Sequence, residues 1–359
     1  MPGLAYIIIR RALLLILALI VVVFLTAFII GATGYDQKIW NAIIIEEARV
    51  YRDSLQKARN LTPQQINDLV ANYTLQLRSI YGVDKPWTER VIPLALNVLV
   101  LRLGDVMSND VAQVVGRQLP LTVSDAILTV LPRTILMITV AEIIVIILGL
   151  LIGSRAAFRA GSIFDRSVIA YAAVMNALPL WWLALIFLFI FGYDLGIAPT
   201  SGRGAISAIN SIMSGDLSSI PTLLYYMWLP VTTIVINFLG GAAYSIRATL
   251  IRVVREDFVT VAQAKGLPEK YIYRSYILRA AAPPIATYIA LSLAGSIGGF
   301  IITESVFDWP GMGTLYYAAI TTGDASTIIG LTYVFTLVYV IARMILEILY
   351  IFLDPRVRY

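Results

Sequence analysis

The chain has 359 residues, 59% of them hydrophobic and only 14% charged, against about a quarter charged in soluble domains. Its mean hydropathy of +0.82 excludes an ordinary soluble globule, and long apolar runs without strict alternation select helices over a barrel. With no Cys and no His, a disulfide framework, a thiolate metal site and His-based catalysis are excluded, and the net charge of +5 sits in short membrane-flanking segments, where it orients the chain rather than binds nucleic acid.

About 20 apolar residues cross a bilayer as a helix. The first such stretch is Ala12 to about Ile30, interrupted only by Thr26. It is longer than a signal-peptide core and no small-x-small cleavage site follows, so an uncleaved anchor is expected. Residues 31–127 are too long for a plain connection. Gln37 to Arg59 is predicted as a helix with Ile39, Ile43, Ala48 and Leu55 on one face. Thr62-Pro63-Gln64-Gln65 is a strong helix start, with Thr as N-cap, Pro at N1 and Gln at N3. Ile66, Leu69, Val70, Tyr73 and Leu77 follow at helical spacing, and Tyr81 to Trp87 reads as a turn. Val91 to Leu103 is apolar but too short to span. Two compatible roles stand for this segment: a helical cap on the outer mouth, or a docking surface for a substrate-binding partner.

Five further spans are predicted: about Leu128 to Ile152, Val168 to Phe191, Leu223 to Ile246, Pro283 to Thr303 and Thr327 to Leu353. Glu142 lies near the middle of the second, and an intramembrane carboxylate is a functional candidate by default. Structural or pore-lining polarity and a proton relay are its competing readings. Arg133 is near the outer end and is expected to snorkel. Pro179, beside Trp181 and Trp182, is expected to kink the third span and Pro230 the fourth. Gly149 with Gly153, and Gly295 with Gly298 and Gly299, permit close helix approach. Arg343 and Glu347 are spaced to neutralise each other. Asn176, Trp181, Asn237 and Tyr288 join Glu142 as pore or substrate-path candidates, against plain packing.

Basic residues set the orientation. Arg10 and Arg11 precede the first span, and Arg155, Arg159 and Arg166 follow the second. Seven Lys or Arg residues lie between Arg247 and Arg279, and Arg356 and Arg358 close the chain. The opposite short loops hold Asp194, Arg203, Asp216, Glu304, Asp308 and Asp324. Both termini and the 247–280 loop are therefore expected in the cytoplasm.

That loop is the most informative stretch. A helical segment, Phe258 to Lys265, stops at Gly266, and a second restarts at Pro268. Gly after a helix and Pro opening the next mark an elbow. It carries no phosphate cradle. Gly311-Met312-Gly313 is not a nucleotide loop either, because no Gly-Lys-Ser/Thr follows and no strand precedes it. If ATP drives this protein, another subunit binds it.

These residues resemble a known family. Asp257-Phe258-Val259, Ala262 and Ala264-Lys265-Gly266-Leu267 fit the loop of the permease subunits of ATP-binding-cassette importers. The closest likeness is to the first permease (B-type) of the oligopeptide, dipeptide and nickel branch. Glu304-Ser305-Val306-Phe307-Asp308-Trp309-Pro310-Gly311-Met312-Gly313, Asp354-Pro355-Arg356-Val357-Arg358-Tyr359 and the Gly82 to Trp87 turn fit it too. Thr260 and Val261 depart from the Glu-Ala-Ala of the broader signature, and Arg279 stands where Leu-Pro has its Pro.

The resemblance implies an all-α integral membrane protein of six transmembrane helices in a type I importer permease fold. Both termini are then cytoplasmic, and a large helical extracellular insert separates helices 1 and 2. It divides the chain into a span at 1–31, an outer segment at 32–127, a permease core at 128–353 containing the coupling loop 247–280, and a tail at 354–359. Glu256, Asp257, Phe258, Val261, Ala262, Lys265, Gly266 and Leu267 become the ATPase docking set, with Phe258, Val261, Ala262 and Leu267 offering apolar contact. The implied partners are a second homologous permease, two ATPases that carry ATP and Mg, an extracellular substrate-binding protein and the lipid membrane, with no nucleic acid. The chain is not an enzyme and holds no cofactor or metal. The cargo is an oligopeptide or a short oligosaccharide, nickel being the other substrate of the branch. The alternative is an ion- or proton-coupled secondary transporter using Glu142, which predicts several membrane-depth charges and inverted repeats. An intramembrane enzyme and a structural assembly protein are the remaining readings.

Overall fold

The computed structural model describes residues 4–57, 62–296 and 301–353. Helices α1 (Leu4–Ala32), α2 (Tyr35–Lys57), α3 (Pro63–Ile80), α4 (Trp87–Leu99) and α5 (Asn109–Val115) come first. Then follow α6 (Val123–Phe158), α7 (Ile163–Ala177), α8 (Leu180–Phe187, continued by a π-helical turn to Asp194), α9 (Ala205–Met213) and α10 (Ile220–Val254). The chain continues through α11 (Asp257–Ala264), α12 (Glu269–Ile272), α13 (Leu278–Ser296), α14 (Ile301–Val306), α15 (Met312–Thr322) and α16 (Ala325–Leu353). Among the described residues there is no strand, only an isolated bridge between Asp105 and Thr122. Among the described residues, four helices are long and apolar enough to cross a bilayer: α1, α6, α10 and α16. α7 and α8 make a fifth candidate together, bent by 94°. The expected third span is thus two helices. Pro179 has no N–H to give the preceding turn, and Leu178 before it is extended at ψ 119°, as the residue ahead of a proline prefers. Pro132 and Pro230 sit inside continuous helices. The expected fifth span falls on α13 and α14, with residues 297–300 outside the described set, as are Gly298 and Gly299.

The chain divides into two compact units. One comprises Met1–Leu13, Thr129–Leu315 and Leu337–Tyr359. Its core joins Met137, Ile138, Ala141 and Val145 of α6 to Met227, Val231, Ile234 and Val235 of α10, with Trp309 buried among them. α6 and α10 approach closely. A Cβ on Gly153 would stand 2.5 Å from the Ala243 carbonyl oxygen, and one on Gly240 2.8 Å from Ala172 Cα of α7. α10 continues eight residues beyond the expected span end at Ile246, which carries Arg252 out past the apolar core.

The second unit is Leu14–Leu128 with Tyr316–Thr336. α2 and α3 pair through Ile44, Leu77 and Val83, and through Ala48, Ile66 and Val70. Trp40 stacks on Tyr81 at 4.4 Å. The capping box is complete: Gln65 N–H donates to Thr62 Oγ1, and Thr62 N–H donates to Gln65 Oε1 at 3.0 Å. Leu69, expected on the packed face, is exposed. At α16 the Asp324 carboxylate is buried, accepting the N–H groups of Met107 at 2.7 Å, Ser108 and Thr327. From sequence it reads as a loop charge. Here it is a pin between two chain segments.

Candidate coupling elbow and substrate-path residues

The elbow forms as its residue types dictate. α11 ends at Ala264 with Lys265 as its C-cap, and Gly266 takes a left-handed φ of +70°, a region open to glycine at little cost. Gly266 N–H donates to Gln263 O at 2.9 Å and Leu267 N–H to Ala262 O at 3.4 Å. That pair of bonds is a Schellman cap, and the hydrophobic residue after the glycine packs back on the helix. Leu267 joins Val259, Ala262, Ile272, Ile277, Ala281 and Ile285 in one cluster with Ile246 and Leu250 of α10. The elbow is therefore packed against the helices on both sides of it.

This divides the expected docking set. Glu256, Asp257, Phe258, Val261, Lys265 and Gly266 are exposed. Ala262 is not available for a partner: it is buried on the chain's own core, and Leu267 is half-buried there. Val259, which fits the family motif but stands outside the expected docking set, is buried beside Ala262. Spacing holds the signal, because residues three apart on a helix share a face. Val259 with Ala262 forms the inner face, and Phe258 with Val261 the outer.

The path candidates fall into two groups. Glu142 is buried and accepts a hydrogen bond from Ser292 Oγ at 3.1 Å. Tyr288 packs against the same α6–α10 core, within electrostatic reach of Glu142. Asn176, Trp181 and Asn237 lie instead around the α7–α8 break. Asn237 Nδ2 donates to the carbonyls of Leu178 at 3.1 Å and Met175 at 3.4 Å. It satisfies acceptors that the proline break releases, so its side chain is committed to the fold. Asn176 and Trp181 are exposed.

Three features were missed or misread from sequence. Asp165, at the start of α7, is buried and holds Arg247 of α10 through both guanidinium Nε and Nη2, the latter at 2.8 Å, while also accepting Gly161 N–H. Arg133 does not snorkel. It is buried, donating to Pro310 O at 3.3 Å. The Glu304–Gly313 run is a knot rather than an exposed loop. Glu304 is wholly buried and accepts Gly313 N–H at 2.7 Å. Met312 N–H donates to Thr134 Oγ1 at 2.7 Å, and Trp309 Nε1 to Arg133 O. Asp308 is bound by Ser201 and Arg203. A Cβ on Gly311 would lie 2.4 Å from Glu304 Oε2, which accounts for the small residue in that motif. The expected Arg343–Glu347 pair cannot be placed, since the Glu347 side chain lies outside the described residues, as does the motif at 354–359.

The family model for binding-protein-dependent transport system inner membrane components matches residues 146–359, more than half of the chain. The chain belongs to this family. Several relatives align over most of the permease. The di/tripeptide transport system permease protein DppB of Pseudomonas aeruginosa is 28% identical over 289 residues, 77% of this chain and 83% of its own. The oligopeptide transport system permease protein OppB of Haemophilus influenzae is 30% identical over 66% of this chain and 72% of its own. AppB of Bacillus subtilis, an oligopeptide transport system permease protein, is 27% identical over 72% and 78%. The permease is thus a multi-pass membrane component of the B-type branch of ATP-binding-cassette transporters.

Proposed function

We propose that this permease forms half of the translocation pathway of an ATP-driven importer. Peptides are its cargo, delivered by an extracellular binding protein. The named relatives are peptide permeases, which favours peptides over oligosaccharides. The second half of the pathway is a homologous permease, and two ATPase subunits bearing ATP and Mg supply the work. This chain catalyses nothing itself. Six spans, cytoplasmic termini and an extracellular segment at 32–127 complete the reading.

The observation that carries the coupling role is the elbow's two-sided construction. Val259, Ala262 and Leu267 lock it to α10 and α13, while Phe258 and Val261 face outward among Glu256, Asp257 and Lys265. A helix seated in an ATPase groove by that outer face transmits force as a lever. Its inner face leaves no slack, because packed interiors deform little.

The test is uptake of a labelled peptide into proteoliposomes carrying the co-purified subunits, with ATP hydrolysis measured in parallel. Val261→Glu puts a charge in the groove, and Gly266→Trp both strains φ and adds bulk. Each is expected to abolish uptake while the subunits' ATPase activity runs independently of substrate. Normal peptide uptake by Gly266→Trp would remove the lever assignment.

A further inference from the structure

α6 has 36 residues and at 1.5 Å each runs about 54 Å, well beyond a hydrocarbon core of about 30 Å. From Thr134 to Ser154 its only charged side chain is Glu142, and Arg155 is the first charge after that run. α7 opens only four residues after α6 ends, and beyond Arg166 its side chains carry no charge. A turn that short, set between two apolar helices, is held at the headgroup level of the bilayer.

The turn is fixed by its own bonds and points apolar groups outward. Gly161 takes φ +84° and donates its N–H to Asp165 at 2.8 Å, while Ser162 Oγ accepts the Asp165 N–H at 3.2 Å. Ile163 at the tip is 84% exposed, and Phe158 and Phe164 are exposed beside it. Arg155 and Arg159, both exposed, lie four residues apart on one face of α6, a spacing at which like charges repel. The Arg155 guanidinium sits over the Phe164 ring at 5.9 Å, a contact that orients it and leaves its N–H edge for an anion. Asp165 is the one carboxylate of the turn. It is buried in its ion pair with Arg247, and Arg166 is its other basic neighbour. Neither Arg155 nor Arg159 forms an ion pair among the described residues. Residues 247–279, which meet the end of α6 through Ala157 and through Phe158 against Tyr273 at 4.0 Å, hold seven basic and three acidic side chains, so they add to the positive excess.

We infer that the α6–α7 turn binds an anionic phospholipid, its phosphate bridging Arg155 and Arg159 and its acyl region meeting Ile163 and Phe164. Arginines amid exposed aliphatic and aromatic side chains have the order of a bilayer interface, with charge toward the headgroups and apolar groups toward the acyl chains. An ATPase docked here would have to reach into the headgroup layer, where lipid already stands. Through Phe158 and Tyr273 the lipid site adjoins the elbow. It stands independently of the transported cargo and of the lever assignment.

Native mass spectrometry of the co-purified complex, titrated with phosphatidylglycerol or phosphatidylcholine, tests this. Wild type is expected to retain phosphatidylglycerol the better. Arg155→Gln and Arg159→Gln are each expected to lower that retention about fivefold, as the loss of one basic side chain near a membrane surface does. Arg117→Gln, at an exposed arginine of the other unit, is expected to leave it unchanged. Arg155→Lys with Arg159→Lys keeps the charge and is expected to keep most of the retention at unchanged thermal stability, which separates lost charge from a lost fold. Ile163→Trp adds fluorescence that brominated phosphatidylglycerol is expected to quench. Equal retention of the two lipids by wild type, unchanged retention in the double Gln variant, or an equal loss in Arg117→Gln would each overturn the site. So would an unquenched tryptophan at position 163, or a cross-link from that position to an ATPase subunit, since a protein would then cover the turn.

Discussion

Asp165 and Arg247 show how much rests on single side chains. Asp165 lies in the first turn of α7 and Arg247 inside α10, helices that otherwise meet through small residues, and the carboxylate is buried. Removing one partner strands the other charge, which costs roughly 3–5 kcal/mol for a buried pair. Asp165→Ala is expected to lower the thermal inactivation temperature of the purified complex markedly, and Asp165→Ala with Arg247→Met to recover part of it. A double variant no better than the single would mean that the pair does not couple α7 to α10. Glu304 poses a different case. Its Oε2 accepts Gly313 N–H, while Oε1 is buried with no partner among the described residues. Glu304→Gln keeps the acceptor and is expected to be close to neutral. Glu304→Ala leaves a buried N–H unpaired, costing about 1–3 kcal/mol. Differential scanning fluorimetry in detergent separates the two. None of these partners is adjacent in sequence. Asp165 lies 82 residues from Arg247, so its local context reads only as a polar helix start.

At the scale of elements, punctuation was legible where its chemistry is local. Thr62 with Gln65 specified a helix start because both bonds close within four residues. Thr62→Ala should cost about 1 kcal/mol, visible as faster hydrogen exchange in the first turn of α3, with α10 unaffected. Gly266 and Pro268 specified the elbow for the same reason. Pro179 was expected to kink a span. It instead separates two helices at 94°, because Asn237 is present on α10 to take up the freed carbonyls. The proline is local and that rescue is not. Face assignment stopped at a similar limit. Ala262 is apolar enough for either face of α11, and only the position of α10 and α13 decided which it took.

For the whole molecule, hydropathy announced the long spans, and their contacts follow from small residues. Gly153→Leu drives a side chain into the Ala243 carbonyl. It is expected to abolish accumulation of the full-length protein in the membrane, which immunoblotting of membrane fractions checks. Charge counting was less transparent. Glu304 and Asp324, taken as loop charges, are buried inside the protein, so they orient nothing at a membrane surface. The basic cluster from Arg252 to Lys270 stays largely exposed and keeps the weight of the orientation. A mild-detergent pull-down with mass spectrometry is expected to recover a second permease and two ATPase chains. Recovery of this chain alone, moving solute without ATP, would return Glu142 to the centre.

The sequence by itself determined that the chain is helical and membrane-embedded, that it contains no His and no Cys, and that an elbow follows its fourth apolar stretch. Each of those rests on composition or on residues within a turn or two of one another. Only the tertiary structure decided that Arg133, Glu304 and Asp324 face inward, that Asp165 holds Arg247, and that Ala262 is core while Phe258 and Val261 are surface. A buried charge is permitted only where its partner is, and the partner's position is a property of packing rather than of sequence distance.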